Sequence, residues 1–353
     1  MKLHDQAEWQ TGSNANTPAD VTIDDVARVA GVSVSTVSRI LNDKPDVAER
    51  TRQRVKQVMD ELGYAPHALA QRLAANRSRS IALIFPLGDQ IDRGEVAVFI
   101  VRTALAAENE NYVFSLVVAP TTQARLLNLY RSAQIEGLIL MEIQRQDWRV
   151  ELLKKQQHPF VMIGRCEDNT GLRFVDLDFA AALLVAVEHL VNLRHQRIAI
   201  FNSGTLLRAG YGPAVCSADG IERARASYPV DLVVIETETP AEAVSAFLEA
   251  GATAVIFAVY TPPMMDILRP IIQQGYRIPE DLSVICIQRD EVAQNQIQPL
   301  TSVRFDINAA ADLAAKMLID QLEGRSSAIE QLVLPPQLVL RESTAVHSLV
   351  QLR

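Results

Sequence analysis

Residues 22–42 read TIDDVARVAGVSVSTVSRILN, and the reading of the N-terminal part of the chain turns on them. Thr22 stands three residues before Asp25 and just ahead of an apolar series, so its hydroxyl can cap a helix whose first amides and positive dipole end meet the carboxylate. Ile23, Val26, Ala27 and Ala30 recur at helical spacing, and Gly31 supplies the freedom that a sharp reversal needs. Ser33 is the natural cap of a second helix that turns Val37, Ile40 and Leu41 inward and leaves Val34, Ser35, Ser38 and Arg39 on the open side. Short side chains, hydroxyls and one long cation on an open face suit a DNA major groove, where Ser and Thr bind phosphate and Arg reaches guanine edges or phosphate. A capped helical hairpin of purely structural purpose gives the same spacing, and the spacing alone does not choose between the two.

Length and composition bound the rest. At 353 residues the chain implies two or three domains, and an apolar content of 48% is enough for sizeable cores. No apolar run approaches the roughly 20 residues of a membrane span. The first residues, MKLHDQAEWQTGSNANTPAD, lack the apolar core and cleavage pattern of a secretory signal, so the expectation is a cytoplasmic protein with no membrane partner. Cys166, Cys216 and Cys286 are too scattered for a zinc or redox site and read as reduced core or pocket-wall residues. The histidines lack ligand spacing, and no G-x-S-x-G, P-loop or G-x-G-x-x-G stretch occurs. Neither a metal, a cofactor nor an enzymatic activity is therefore expected. The formal charge of −8 is uneven: residues 21–80 hold ten Lys or Arg against seven Asp or Glu, a balance of +3 that leaves −11 on the remainder. A mildly basic head on an acidic body suits contact with nucleic acid at one end only.

In chain order, residues 1–20 read as a disordered leader, and Asn42 to Pro45 as a turn. A third helix runs from about Glu49 to Leu62, with Val55, Val58, Met59 and Leu62 inward and Gly63 closing it. Arg50, Arg52, Arg54 and Lys56 stand near its exposed side, as a solvated charged face or as phosphate neutralisers. Tyr64-Ala65-Pro66 breaks the helix, and HALAQRLAAN (67–76) is too short to hold a helix by itself. From Ser80 short apolar strands alternate with helical stretches. One series has strands at 81–85, 113–118, 137–141 and 160–163, and a second at 197–201, 232–235, 254–258 and 283–287. Such alternation predicts parallel sheets covered on both faces, and two series imply two doubly wound lobes.

Three ordered runs carry a resemblance: VTIDDVARVAGVSVSTVSRILN, then VAERTRQRV, then LGYAPHALAQRLA. Over residues 21–76 they closely resemble the headpiece and hinge of the lactose-repressor (LacI/GalR) family of bacterial transcription regulators, and weaker similarity continues to LVLRESTA, ending at Ala345. The resemblance implies an all-α three-helix helix-turn-helix headpiece (21–65) and a hinge helix (66–78). These join an α/β periplasmic-binding-protein-like core (79–345) of two doubly wound parallel-sheet lobes with three crossovers. The first lobe would span 79–177 and 304–325, the second 178–303 and 330–345, with a tail at 346–353. Contacts to double-stranded operator DNA would come from Thr22, Ser33, Val34, Ser35, Thr36, Ser38, Arg39 and Asn42. His67, Ala70, Leu73 and Ala74 would act in the hinge, with Leu73 wedged in the minor groove and Ala70 at the inter-helix contact. The family pattern has a hydroxyl cap before the third helix where this chain has Ala48, leaving that end uncapped or borrowing Asp46. The expected assembly is a homodimeric repressor on a palindromic operator, and VHSLVQLR at the end is too short for the heptads of a bundle tail.

The resemblance also implies a small-molecule effector, carbohydrate-related, in the cleft between lobes at the carboxyl ends of the strands. This chain departs from the sugar-gripping pattern. Ser217 replaces an arginine before Gly220 and Ile221, Val259 and Tyr260 replace an Asn-Asp pair, and Gln288 replaces an aspartate. The polar candidates are Asp89, Arg165, Arg208, Tyr211, Ser217, Tyr260, Gln288 and Arg289. Arg165, following a buried strand, needs either a ligand or a carboxylate partner. A cleft that takes a non-sugar ligand, or none, stays open as an alternative, as does a solute-binding protein of a transporter.

Overall fold

The computed structural model describes residues 21–41, 46–64, 77–85, 93–118, 122–237, 239–259, 263–296 and 298–347. The expected leader, the hinge segment 66–76 and the last six residues lie outside them. By contacts the chain divides into two compact units, residues 1–78 and 79–353.

In the first unit, α1 (Ile23–Ala30), α2 (Val34–Leu41) and α3 (Glu49–Leu62) bury Val26, Ala27, Ala30, Val37, Ile40, Val55 and Val58 in one small core. Met59 and Leu62 pack against it partly buried. All seven core positions lie on the apolar stripes that the sequence spacing marks.

The second unit holds two six-stranded sheets. Its first part runs β1 (Ser80–Ile84), α4 (Arg93–Asn109), β2 (Val113–Val117), α5 (Gln123–Arg131), β3 (Gly137–Leu140), α6 (Trp148–Lys155), β4 (Phe160–Ile163) and β5 (Phe174–Leu177). Its second part runs α7 (Phe179–Asn192), β6 (Arg197–Phe201), α8 (Gly204–Arg208), α9 (Gly212–Ser227), β7 (Asp231–Ile235), α10 (Pro240–Ala250), β8 (Ala254–Phe257), α11 (Met264–Gln273), β9 (Ser283–Ile287), α12 (Asp290–Gln294) and β10 (Thr301–Arg304). The chain then adds α13 (Ile307–Leu322), β11 (Gln331–Leu334) and β12 (Gln337–Val339).

The sheet orders are β11-β5-β4-β3-β1-β2, all parallel, and β12-β10-β9-β8-β6-β7, parallel except for β12 against β10. Side chains alternate between faces as a strand requires. Ile81 and Leu83 of β1 face a core that includes α13, whereas Ala82 and Ile84 face one shared with Leu126, Val150 and Leu153 of α5 and α6. In the second sheet Phe201 and Phe257 stack with centroids 4.9 Å apart under α10 and α11, while Ile198, Ile200 and Ile256 pack under α7 and α9.

The chain passes between the sheets three times, after β5, after β10 and between β11 and β12. Helix α13 packs on the first sheet although it follows a strand of the second. One expectation needs correction here. Residues 330–345 do not all join the second lobe: β11 pairs with β5 from Gln331↔Phe174 to Leu334↔Leu177, and Pro335-Pro336 separates it from β12 in the other sheet. Prolines suit that junction because they lack the donor a ladder position needs.

Candidate DNA interface and ligand cleft

In the first unit α1 begins with a full capping box. The Thr22 hydroxyl lies 2.7 Å from Asp25 Oδ2, Asp25 N donates to Thr22 Oγ1 at 3.3 Å, and Thr22 N donates back to Asp25 Oδ2 at 3.1 Å. The Thr22 hydrogen bond first, and then Arg28 at 2.5 Å, hold the Asp25 carboxyl down at about 2. It therefore stays charged against the positive helix end throughout the ordinary pH range. Gly31 sits in the left-handed region at φ 62°, and Val32 N donates to Ala27 O at 3.0 Å, which ends α1 and turns the chain.

Ser33 caps α2. Its Oγ accepts from Thr36 N at 3.2 Å and lies 2.8 Å from both Ser35 Oγ and Thr36 Oγ1, so three hydroxyls cluster at the leading end of this helix. Ser33, Val34, Ser35 and Arg39 are exposed, and Thr36 and Ser38 are half-buried. Arg39 makes a solvated ion pair with Asp46 at 3.4 Å, a contact of the kind worth no more than about 1 kcal/mol. Its guanidinium is thus available to a stronger anion. The Asp46 carboxylate faces Arg39, and Ala48 leaves α3 without a side-chain cap. Arg52 differs from the outward cations Arg50, Arg54 and Lys56: its side chain is 14% exposed, donates to Ile40 O at 3.5 Å and lies 3.8 Å from Glu49. It ties α3 to the last turn of α2, where a cation opposes the negative helix end. Of the other expected DNA-contacting positions, Asn42, His67, Ala70, Leu73 and Ala74 lie outside the described residues, as do Asp89 and Tyr260 of the expected cleft.

In the second unit the groups at the carboxyl ends of the strands meet across the two lobes. Arg165, just after β4, places Nε 2.7 Å from Asp176 Oδ2 on the neighbouring β5 and Nη2 3.9 Å from Cys216 Sγ on α9. Its partner is therefore a carboxylate. That contact is close but not aligned as a hydrogen bond, and Asp176 Oδ1 accepts from Leu177 N at 2.9 Å. Burial outweighs the guanidinium and pushes Asp176 up to about 6. Burial also raises the Cys216 thiol, which keeps it protonated and unreactive.

A short backbone seam joins the lobes beside this pair. Gln144 and Tyr211 form an antiparallel bridge, Arg145 N donates to Gly210 O at 2.8 Å, and Gly212 N donates to Ile143 O at 3.1 Å. The Tyr211 hydroxyl reaches Glu142 Oε1 at 3.4 Å. Gly210 adopts φ 71°, and a Cβ on Gly212 would stand 3.1 Å from Ile143 O, so the close approach favours glycine at both. On the other strand of the seam Glu142 itself has φ 54°. A buried Arg149 holds it there, donating to Glu142 O at 2.9 Å and to Met141 O at 3.0 Å while forking onto Asp147 at 2.9 and 2.6 Å. Sequence reasoning passed over Asp147 and Arg149, whose D-x-R spacing at a helix start was the available signal.

Arg208 lines a pocket of about 540 Å³ together with Arg145 from the first lobe and Val215, Ala218 and Asp219 of α9. Ser217 is fully buried one helical turn beyond Ala214, whose carbonyl accepts from Asn202 Nδ2 at 3.3 Å. Ser217 Oγ and Asn202 Oδ1 have no hydrogen-bond partner among the described residues. Gln288 is anchored through its backbone N to Val303 O at 3.2 Å, and Arg289 lies 3.8 Å from Glu291. Asp290 is engaged by Arg341 and lies 3.9 Å from Arg304. Among the described residues no group of His, Cys, Asp and Glu is placed to hold a metal, and no helix is long and apolar enough to cross a membrane.

Comparison with known proteins matches both units. Residues 22–67 fit the model of the bacterial regulatory proteins of the lacI family, and residues 187–344 fit that of the periplasmic binding protein-like domain. Catabolite control protein A of Priestia megaterium is 30% identical over 342 residues, covering 92% of this chain and 99% of that one. The HTH-type transcriptional regulator AglR of Rhizobium meliloti (strain 1021) is 30% identical over 343 residues, covering 92% and 94%. Among solved structures, the Lac repressor dimer bound to operator and the anti-inducer ONPF superposes with a TM-score of 0.74 at 23% identity, covering 92% of this chain and 99% of that one. A CelR–cellobiose complex gives 0.64 at 24% identity over 92% and 99%.

Proposed function

The chain belongs to the lacI family of bacterial regulatory proteins, which are DNA-binding transcription regulators, and from that premise we propose that it is a homodimeric repressor reading an inverted-repeat operator through α2. The observation that carries this reading is the exposed face of Ser33, Val34, Ser35 and Arg39 on a helix fixed by the Ser33 cap, a preceding glycine turn and Arg52. Val34 and the small hydroxyls let the backbone approach the base edges, and Arg39 exchanges its weak Asp46 pair for guanine or phosphate. Two copies supply two half-sites, so the operator is palindromic. A pairing surface is available on the first lobe, where Val101 and Leu105 of α4 and Val113 and Leu116 of the edge strand β2 are exposed. Work on the chromosome places the protein in the cytoplasm.

Control comes from the interlobe cleft. Arg145, Arg208 and Asp219, which line the pocket between the lobes, are groups that a small polyhydroxylated effector would engage. A ligand moves the regulator between states only by its difference in affinity for them, so a ligand that parts or tightens the seam at Gln144 and Tyr211 alters the lobe angle. Selection of bound duplexes from a random pool tests the operator claim: recovery of an inverted repeat supports it, and recovery of single half-sites or no consensus refutes it. For the effector, thermal-shift screening with sugars, sugar phosphates, nucleosides and amino acids applies. The seam, whose backbone hydrogen bonds run directly from lobe to lobe, favours a second reading in which the cleft takes no ligand.

A further inference from the structure

At the end of the second sheet remote from the cleft, a pocket of about 400 Å³ lies where α7 ends and β6 has yet to begin. The strand rise sets it roughly 13 Å along β6 from the cleft end. Its wall contains Arg194, His195, Gln196 and His347, with Val191 and Val346 as apolar cover, and no carboxylate among the described residues. The volume is that of a small-metabolite site.

The polar groups are arranged to serve something outside the chain. Arg194 has φ 68°, a left-handed position that favours glycine or asparagine, yet here it carries a long cation. The simplest structural reason for a cation at this place would be to satisfy the last carbonyls of α7. Those carbonyls are already satisfied by backbone donors: His189 O by Leu193 N at 3.1 Å, Leu190 O by His195 N at 3.1 Å, Val191 O by Arg194 N at 2.9 Å and Leu193 O by His347 N at 2.8 Å. The Arg194 guanidinium has no hydrogen bond or ion pair among the described residues. His347 stacks on His195 with ring centroids 5.5 Å apart, and its ring nitrogens make no hydrogen bond among the described residues. His195, by contrast, uses both of its nitrogens internally, on Thr253 and on Ser283 and Ala345. A guanidinium, an imidazole and an amide therefore face one cavity with an apolar rim.

We propose that this pocket is a second small-molecule site, separate from the interlobe cleft, for a compact phosphorylated metabolite with an apolar or ring-shaped body. Arg194 forks onto the phosphoryl oxygens, His347 and Gln196 donate beside it, and Val191 and Val346 cover the body of the ligand. Because Val346 and His347 belong to the C-terminal segment, the bound anion clamps that segment to the end of α7.

Phenyl phosphate is the probe, with phenol as neutral control, titrated calorimetrically into the full-length protein at constant ionic strength. The expected result is one site per chain with a dissociation constant of about 1 mM or tighter, no heat from phenol, and a loss of about tenfold or more in Arg194→Gln. His347→Gln should weaken binding less, and Arg165→Gln, in the cleft, should leave it unchanged. Unfolding temperatures measured without ligand report whether each variant is folded. Absence of saturation by about 10 mM overturns the proposal. So does undiminished affinity in both folded pocket variants, and so does a loss confined to Arg165→Gln, which would assign the probe to the cleft.

Discussion

His195 should make the second lobe sensitive to acid. The residue is 4% exposed between α7 and β6, with Nδ1 2.8 Å from Thr253 Oγ1 and Nε2 3.0 Å from Ser283 Oγ and 3.2 Å from Ala345 O. A carbonyl can only accept, so Nε2 carries the proton and Nδ1 accepts from the threonine hydroxyl. Burial lowers its pKa from 6.5 to about 4, against the Ala345 carbonyl, which raises it, and with the neighbouring His347 and His189 lowering it further. The unfolded chain therefore takes up a proton below about 6.5 that the folded chain refuses until about 4. The stabilisation is complete above the upper value and is lost as pH falls, by about 1.4 kcal/mol per unit and about 3 kcal/mol in all. Asp176 acts in the opposite sense. Its folded pKa is raised from 3.8 to about 6, so it destabilises the fold at neutral pH and returns a similar amount, about 3 kcal/mol, as pH falls from 6 towards 3.8. These two contributions nearly cancel between pH 6.5 and 4, and the acid-side loss that remains includes that of His158 and His189, whose pKa values burial also lowers. In urea titrations followed by far-ultraviolet circular dichroism, Asp176→Asn should steepen the acid-side loss, and His195→Gln should lessen it. A His195→Gln curve parallel to wild type across that interval would refute the reasoning.

Three further outcomes follow from the geometry. Ser33→Ala removes the side-chain acceptor of Thr36 N, leaving its bond to Ser33 O at 2.9 Å, and the hub of the hydroxyl cluster. It should cost about 1 kcal/mol of headpiece stability, read by thermal unfolding, and weaken operator binding at the same time. Arg39→Ala should reduce affinity for the selected operator by about 1–3 kcal/mol while changing affinity for random duplex much less, measured by competition anisotropy; equal losses would mean that Arg39 touches phosphate alone. Gly212→Pro deletes the donor to Ile143 O and adds bulk 3.1 Å from it, at a first helical position where proline is tolerated. It should open the lobes, seen as a larger radius of gyration in solution scattering; an unchanged radius would mean that the seam does not hold them together.

Much of this architecture was legible in the sequence because it rests on local signals. The capped hairpin from Thr22 to Leu41 is fixed by spacing, a cap and a glycine, and β9 (Ser283–Ile287) falls on the apolar run at 283–287. What escaped rests on partners distant in sequence. β5 is four residues long with a buried Asp176, and β10 begins Thr-Ser, so neither reads as an apolar run, yet the flanking strands bury both. α8 and α12 are five residues each, too short to show a period. The Arg165–Asp176 pair depends on β4 and β5 lying side by side, and Arg52 looked like one more surface cation until α2 and α3 were seen packed together. In the cleft, the backbone seam between the lobes was not readable, because any sequence supplies its donors and acceptors.

The proposed repressor requires two copies of α2 to read a DNA sequence arranged as an inverted repeat. The direct measurement is fluorescence anisotropy of the full-length protein at near-physiological salt against three duplexes: the selected inverted repeat, a single half-site, and a scrambled sequence of equal composition. The claim predicts affinity for the repeat at least about a thousandfold above the scrambled duplex, with two chains per duplex, and much weaker binding to the half-site. Equal affinity for all three, or one chain per duplex, would contradict it.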